Sequence, residues 1–439
     1  MLRMLHAVAP HVIGSVLAGL LLIAAGGCAA SGPSFSEDPA DYADEVDALQ
    51  ERLAADPSDA TALRELGQIY LQTGRTNRAY DTLKRAYARL PDDPQTMFYL
   101  GVATEGVGRT NAALELFAQY DRVPGDSRYR DLMEGRYEWI VREEARADIR
   151  SMIAREADLS NENVSRSVLA VLPLNYRGID EQYKPLGRGL AEMIITDLAN
   201  VRDLRVVERV RLQAILSELE FGQTDYVDPA SAPRVGRLLG AGRLAGGSYR
   251  VTQTQDIRMD MTVVELNARR TPRVPTQVGE LSNLFTLQKE LALALLDALN
   301  ISLSREERAA IAPMPTESLD AFLAFSEGLL EEDDGNFEAA AEHYRTAVSI
   351  DAGFRAAARR AARAERLQAA GGTRQDILSA ALGPTVTSAL LRQRLNNMGS
   401  GYYGINDLID EDRRTPVEDV GGIPETELPP PPEPPASTP

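Results

Sequence analysis

The chain has 439 residues, with 47 Lys and Arg against 65 Asp and Glu for a formal net charge of -18, and is 44% hydrophobic. That length holds two or three domains with sizeable cores. So negative a surface repels nucleic acid and anionic lipid, and the one cysteine and three histidines leave too few ligands for a Cys/His zinc site once a leader carrying His6 and His11 is removed and the cysteine is acylated.

Met1 to Gly27 contains no acidic residue, carries Arg3, and has an apolar run from Val12 to Ala25, the pattern of a secretory signal. The run is shorter than the ~20 residues of a comfortable membrane span. Ala25-Gly26-Gly27 places small residues directly before Cys28, the lone cysteine. This resembles a bacterial lipobox, with Ala25 where Leu is usual. A single thiol in an exported chain has no disulfide partner, which favours acylation. The resemblance implies a signal peptide over 1–27, lipid on Cys28, a tether over 28–40 and, from Ala29 in second place, sorting to the periplasmic side of the outer membrane. Multiple acyl chains anchor stably. With a 27-residue leader gone, 412 of the 439 residues remain and loss of Arg3 takes the charge from -18 to -19. His6 and His11 leave too, so His343 is the only histidine available for a Ser-His-Asp arrangement; within a helical repeat it fits a helix-surface residue better.

Asp41 to Ala54 has the pattern of an incomplete leading helix. Leu66, Gly67, Tyr70, Gly74, Ala79, Leu83, Ala86 and Pro91 fall at tetratricopeptide positions, where small residues let paired helices approach. Gly101 and Gly108 follow Gly67 and Gly74 by 34 residues, and Ala113 and Phe117 continue a second repeat from Pro94 to Asp126. Arg130 to Ala157, long, charged and free of Pro, completes a repeat region over 41–157 as a capping helix. In such repeats the second, fifth, ninth and twelfth positions of each inner helix face the concave side. Here these are Thr61, Arg64, Gln68 and Leu71, then Gln95, Phe98, Val102 and Glu105, a mixed surface around an open Phe98 that suits an extended peptide.

Val168 to Leu172 is a short all-apolar run stopped by Pro173, as in a strand buried on both faces. Leu186, Leu190, Met193, Ile194 and Leu198 recur at helical spacing, and Leu204 to Val207 supplies a second strand. Leu212, Ile215, Leu216 and Leu219 form another helical stripe, and Val235, Leu238 and Leu239 a third ended by Gly240. Ala245 to Val251 is the next strand. Ile257, Met259, Met261 and Val263 alternate with Arg258, Asp260 and Thr262, giving a strand with one wet face. A helix from Leu287 to Leu299 closes an α/β layered unit over 167–311. The blocks GLAEMIITDL, RVVERVRLQAIL and VDPASAPRVGRLLGA, with a Gly-Ser before a strand, resemble the curli production assembly/transport component (CsgG) family; the TolB amino-terminal-like domain is a related pattern. Members of the resembled family assemble a ring and insert paired β-hairpins into the outer membrane. Two such hairpins need ~40 residues or more. Arg250 to Phe285 supplies 36, and Asn267 to Gly279 within it holds two prolines.

Gly328, Gly335, Phe337, Ala340, Tyr344 and Ala347 repeat the tetratricopeptide spacing within 316–370, followed by an Ala-Arg-rich helix. Glu331-Glu332-Asp333-Asp334 is simplest as a solvated loop. GAGRLA at Gly240 to Ala245 imitates a dinucleotide fingerprint but follows a helix and enters a strand, the wrong order for cradling a pyrophosphate. The tail over 407–439, acidic and ending in ELPPPPEPPASTP, cannot bury a core. The fold class expected is therefore α/β plus all-α, a CsgG-like layered domain flanked by helical repeats. No catalytic residue, metal site or cofactor stands out, so the function expected is a non-catalytic, lipid-anchored scaffold that binds envelope or secreted proteins and possesses surfaces for homo-oligomerisation. A CsgG-type secretion pore is the alternative, and an enzyme using acidic residues the third.

Overall fold

In a computed structural model, residues 38–156, 164–219, 232–266 and 272–382 are described. The leader, Cys28, most of the tether, Asp228 to Ser231 of the DPASA block and the 407–439 tail lie outside the described residues. After a short 3-10 turn come α1 (Ala43–Ala55), α2 (Ala60–Gln72), α3 (Thr76–Tyr87), α4 (Pro94–Gly106), α5 (Thr110–Phe117) and the long α6 (Arg128–Ala154). Asp59 and Asp93 start the inner helices α2 and α4, each accepting from the backbone N–H three residues on (Ala62 and Thr96, both 2.9 Å). A methyl group on Gly101 would lie 2.5 Å from the Phe117 ring, so only glycine lets α4 and α5 close to contact.

The α/β unit consists of β1 (Ser165–Val171), β2 (Asn175–Tyr176), α7 (Leu186–Leu198), β3 (Arg205–Val206), α8 (Arg209–Glu218), α9 (Ala232–Leu239), β4 (Ala241–Val251), β5 (Asp256–Glu265), β6 (Gln277–Glu280) and α10 (Leu284–Ala298). The sheet order is β3-β1-β4-β5-β6, with β2 also on β4. Pairing is parallel from β3 through β1 and β2 to β4 and antiparallel from β4 through β5 to β6. Leu169 and Val171 pack with the stripe of α7 and with Leu291 and Leu295 of α10, whereas Ala170 and Leu172 pack with Leu212, Ile215, Val235 and Leu238 of α8 and α9. The all-apolar run is buried on both faces because the chain covers both.

Then follow α11 (Arg305–Ile311), α12 (Leu319–Asp334), α13 (Phe337–Ile350), α14 (Arg355–Ala370) and α15 (Arg374–Leu382). Gly335 ends α12 at φ 82°, a left-handed turn that leads into α13. Phe322, Phe325, Leu329, Tyr344 and Phe354 of this region belong to the same apolar cluster as α7 and α10, so 167–311 and 316–370 share one core. Among the described residues no helix is long and apolar enough to cross a membrane.

Candidate functional site

The inner-helix positions singled out in the sequence do line up on α2 and α4, but most of them face the chain itself. Arg64 Nη1 donates to Asp93 Oδ2 at 3.1 Å and Gln95 Nε2 to Gln68 Oε1 at 3.3 Å, linking α2 to α4. Thr61 is exposed; Leu71 and Val102 are buried. Phe98, expected to lie open, is 0% exposed, because its ring meets Tyr99 and Tyr129 at centroid distances of 5.2 and 5.5 Å. Glu105 accepts a two-pronged contact from Arg136 Nε and Nη2 of α6 at 2.9 and 2.6 Å. These positions of α4 thus pack on α6, stacked alongside it as α4 is on α2, and Ile377, Leu378 and Ala381 of α15 join the same cluster. Composition alone could not say this, since an amphipathic partner and an amphipathic segment of the same chain present identical patterns.

A second constellation is a buried network of charge between the α/β unit and the carboxy-terminal helices. Its centre is Glu332, which receives Arg209 Nη2 at 2.8 Å, Arg360 Nη1 at 2.9 Å and the Tyr344 hydroxyl at 2.6 Å. Asp333 beside it pairs with Arg209 Nη1 and with Arg188 Nε at 2.9 Å. Glu192 of α7 closes the circuit to Arg209 and Arg360. The sequence reading of Glu331 to Asp334 as a solvated loop is corrected here. These residues form the last turn of α12, where Glu332 is 2% and Asp333 8% exposed. The spacing of Gly328 and Gly335 already placed them inside a repeat helix, which was the available signal. Burial alone raises a carboxyl, but Arg360 and Arg209 outweigh it and hold Glu332 far below its ordinary value. A carboxylate held ionised by two guanidiniums donates no proton near neutral pH, so Glu332 fits a lock better than a general acid, while burial raises its neighbour Asp333 despite Arg209 and Arg188.

Two further polar contacts fix α7. Asp197 accepts from Gln288 Nε2 at 2.9 Å and Lys289 Nζ at 2.7 Å on α10. The Tyr249 hydroxyl on β4 donates to the Tyr183 carbonyl at 2.6 Å and accepts from Gly187 N–H at 2.9 Å. His343 lies on α13 with Nδ1 3.1 Å from Glu327 Oε2, a half-exposed surface pair. Gly240 at φ 63° turns α9 into β4, so the GAGRLA run does join helix to strand.

Motif, sheet order and helix pairing now converge. Residues 141–254 match the curli production assembly/transport component CsgG. Residues 60–103 match a tetratricopeptide repeat. The CsgG match runs from within α6 to the end of β4 and contains Glu192 and Arg209, whereas Glu332, Asp333 and Arg360 lie beyond it. The charge network therefore ties the CsgG-type domain to the helices that follow. No curated protein matches the chain. The yeast Tom70 crystal structure aligns over 82% of this chain and 69% of its own, at 10% identity and a TM-score of 0.23. Tetratricopeptide repeats serve protein–protein interaction, and the CsgG domain points to curli-related assembly.

Proposed function

We propose that the chain is a non-catalytic scaffold, anchored by lipid on Cys28 to the periplasmic side of the outer membrane, that binds envelope or secreted proteins in the assembly or secretion of surface structures. The observation that carries this is the lock of Glu192, Arg188, Arg209, Glu332, Asp333 and Arg360. It makes the CsgG-type domain and the carboxy-terminal helices one unit around a shared core, so a load taken at one surface is borne by the other. The match to CsgG supports the envelope setting, and the lipobox-like stretch before Cys28 supports the anchor.

The test is fractionation of cells expressing the full chain or Cys28→Ser. The wild type should sediment with outer membrane and take up a clickable fatty-acid label. Cys28→Ser should lose the label and appear as soluble protein or uncleaved precursor. A cleaved, unlabelled variant that still sediments with outer membrane would overturn the anchor.

A further inference from the structure

The helix α15 packs on α14 and α6 and joins the apolar cluster of the amino-terminal repeats, and it is attached in a manner that marks it as a ligand. It follows Gly371-Gly372, the second at φ +78°, and begins with its own cap: the Asp376 carboxylate accepts from the Thr373 N–H and hydroxyl, both at 2.7 Å. Its start lies at the end of α4, where the Arg374 guanidinium donates to the Thr76 hydroxyl and lies 3.5 Å from where a Gly106 methyl would stand. Its other end lies at the start of α6, where Arg128 Nη2 donates to the Ala380 carbonyl at 2.6 Å. The helix therefore runs antiparallel to α6, beside the ends of α3 and α4. Along it Arg374, Ile377, Leu378 and Ala381 recur at i, i+3, i+4 and i+7, the spacing by which an amphipathic helix lays one face into a groove. Ile377, Leu378 and Ala381 are 0, 1 and 2% exposed. Arg136, which grips Glu105 on the groove, also donates to the Ala370 and Gly372 carbonyls at 3.0 Å, so groove and hinge share one residue. The fit is imperfect, since Arg374 Nε is buried without an acceptor among the described residues.

We infer that α15 is an intramolecular stand-in for the partner of the amino-terminal repeats. That partner is a short amphipathic helix of another protein with two adjacent bulky aliphatic residues, a small residue one turn after the first, and a basic residue one turn before. Binding requires α15 to swing out about Gly371-Gly372, and the resident helix sets a threshold because tethering gives it a high local concentration. The inference rests on the repeats being a partner-binding module, but it is independent of the lipid anchor.

The probe is a fluorescein-labelled peptide of residues 372–382, titrated by anisotropy into the full chain and into full-length Ile377→Asp/Leu378→Asp. The double variant should bind the peptide at least tenfold more tightly than the wild type. A peptide carrying Leu378→Asp should bind neither. Trp139, the only tryptophan, abuts Gly371, so its emission should already be shifted in the double variant and move little on peptide addition. Should the double variant lose its circular dichroism melt, Ala381→Glu, in the last turn of α15, is the milder substitution with the same expected direction. Peptide binding that is absent from a folded variant, or equal in variant and wild type, overturns the inference while leaving the Cys28 test untouched.

Discussion

Glu332 illustrates how one residue can carry a junction. Its carboxylate is surrounded by Arg209, Arg360 and Tyr344, contributed by α8, α14 and α13, and the adjacent Asp333 engages Arg188 of α7. Removing one partner from a buried pair strands the others, which typically costs about 3–5 kcal/mol. Glu332→Gln keeps the size and most of the hydrogen bonding but removes one of the carboxylates facing two guanidiniums, which keep Asp333 and Glu192, and should lower the stability of the full chain by up to that order in denaturant titration at neutral pH. The pH dependence follows from the direction of the shift. The folded carboxyl lies far below its ordinary value of 4.5, so its contribution is complete above 4.5 and fades as pH falls further through the folded value. The gap between wild type and Glu332→Gln should stay constant from neutral pH down to about that value and narrow in stronger acid. A gap that grows below pH 4.5 would contradict the assignment. Burial acts in the opposite sense on Glu134 and Glu365, whose carboxyls are raised, so the measured quantity has to be the difference between the two proteins.

Among elements, the α4–α5 hairpin shows how the repeat spacing works physically. Gly101 carries the Phe117 ring at a distance no side chain could share, and Gly328 stands in the same relation to Tyr344 between α12 and α13, at 2.6 Å. Gly101→Ala should therefore separate the pair and destabilise the chain by about 1–3 kcal/mol, read as a lower urea midpoint. An unchanged midpoint would mean that the hairpin is looser than described. These pairs were legible in the sequence because the contact is local: residues 16 apart in one hairpin meet by helix geometry alone. The α7 stripe and the doubly buried β1 were legible for the same reason, as periodicity reports which side of an element is covered. The burial of Phe98 was not legible. Its cover comes from Tyr129 of α6, 31 residues further along and outside its own hairpin, and no local pattern records such a meeting.

For the molecule as a whole, the distinction between scaffold and pore turns on chain length within the sheet. β4 and β5 are joined by four residues, Thr252 to Gln255, and eleven residues separate Glu265 of β5 from Gln277 of β6. Each membrane strand needs about 9–11 residues, so neither connection supplies a spanning hairpin with its turn. The detergent-purified full chain should give no stable unitary currents in planar bilayers, and reproducible single-channel steps would favour the pore instead.

The sequence by itself determined most helices of the repeats and the main strands and helices of the α/β unit, though not β2, β6, α11 or α15, together with the repeat phase set by Gly67, Gly74, Gly101 and Gly108 and the two-layered covering of β1. It did so because helix and strand periodicity, caps and small-residue spacing act over a few residues. Only the tertiary structure decided that Glu332 and Asp333 are buried partners of Arg209 and Arg188, and that α6 and α15 join the apolar cluster of the amino-terminal repeats. Those outcomes depend on which distant surfaces the chain brings together. A charged helix end has the same local sequence whether water or an arginine from another element neutralises it, and only the folded chain settles which is nearer.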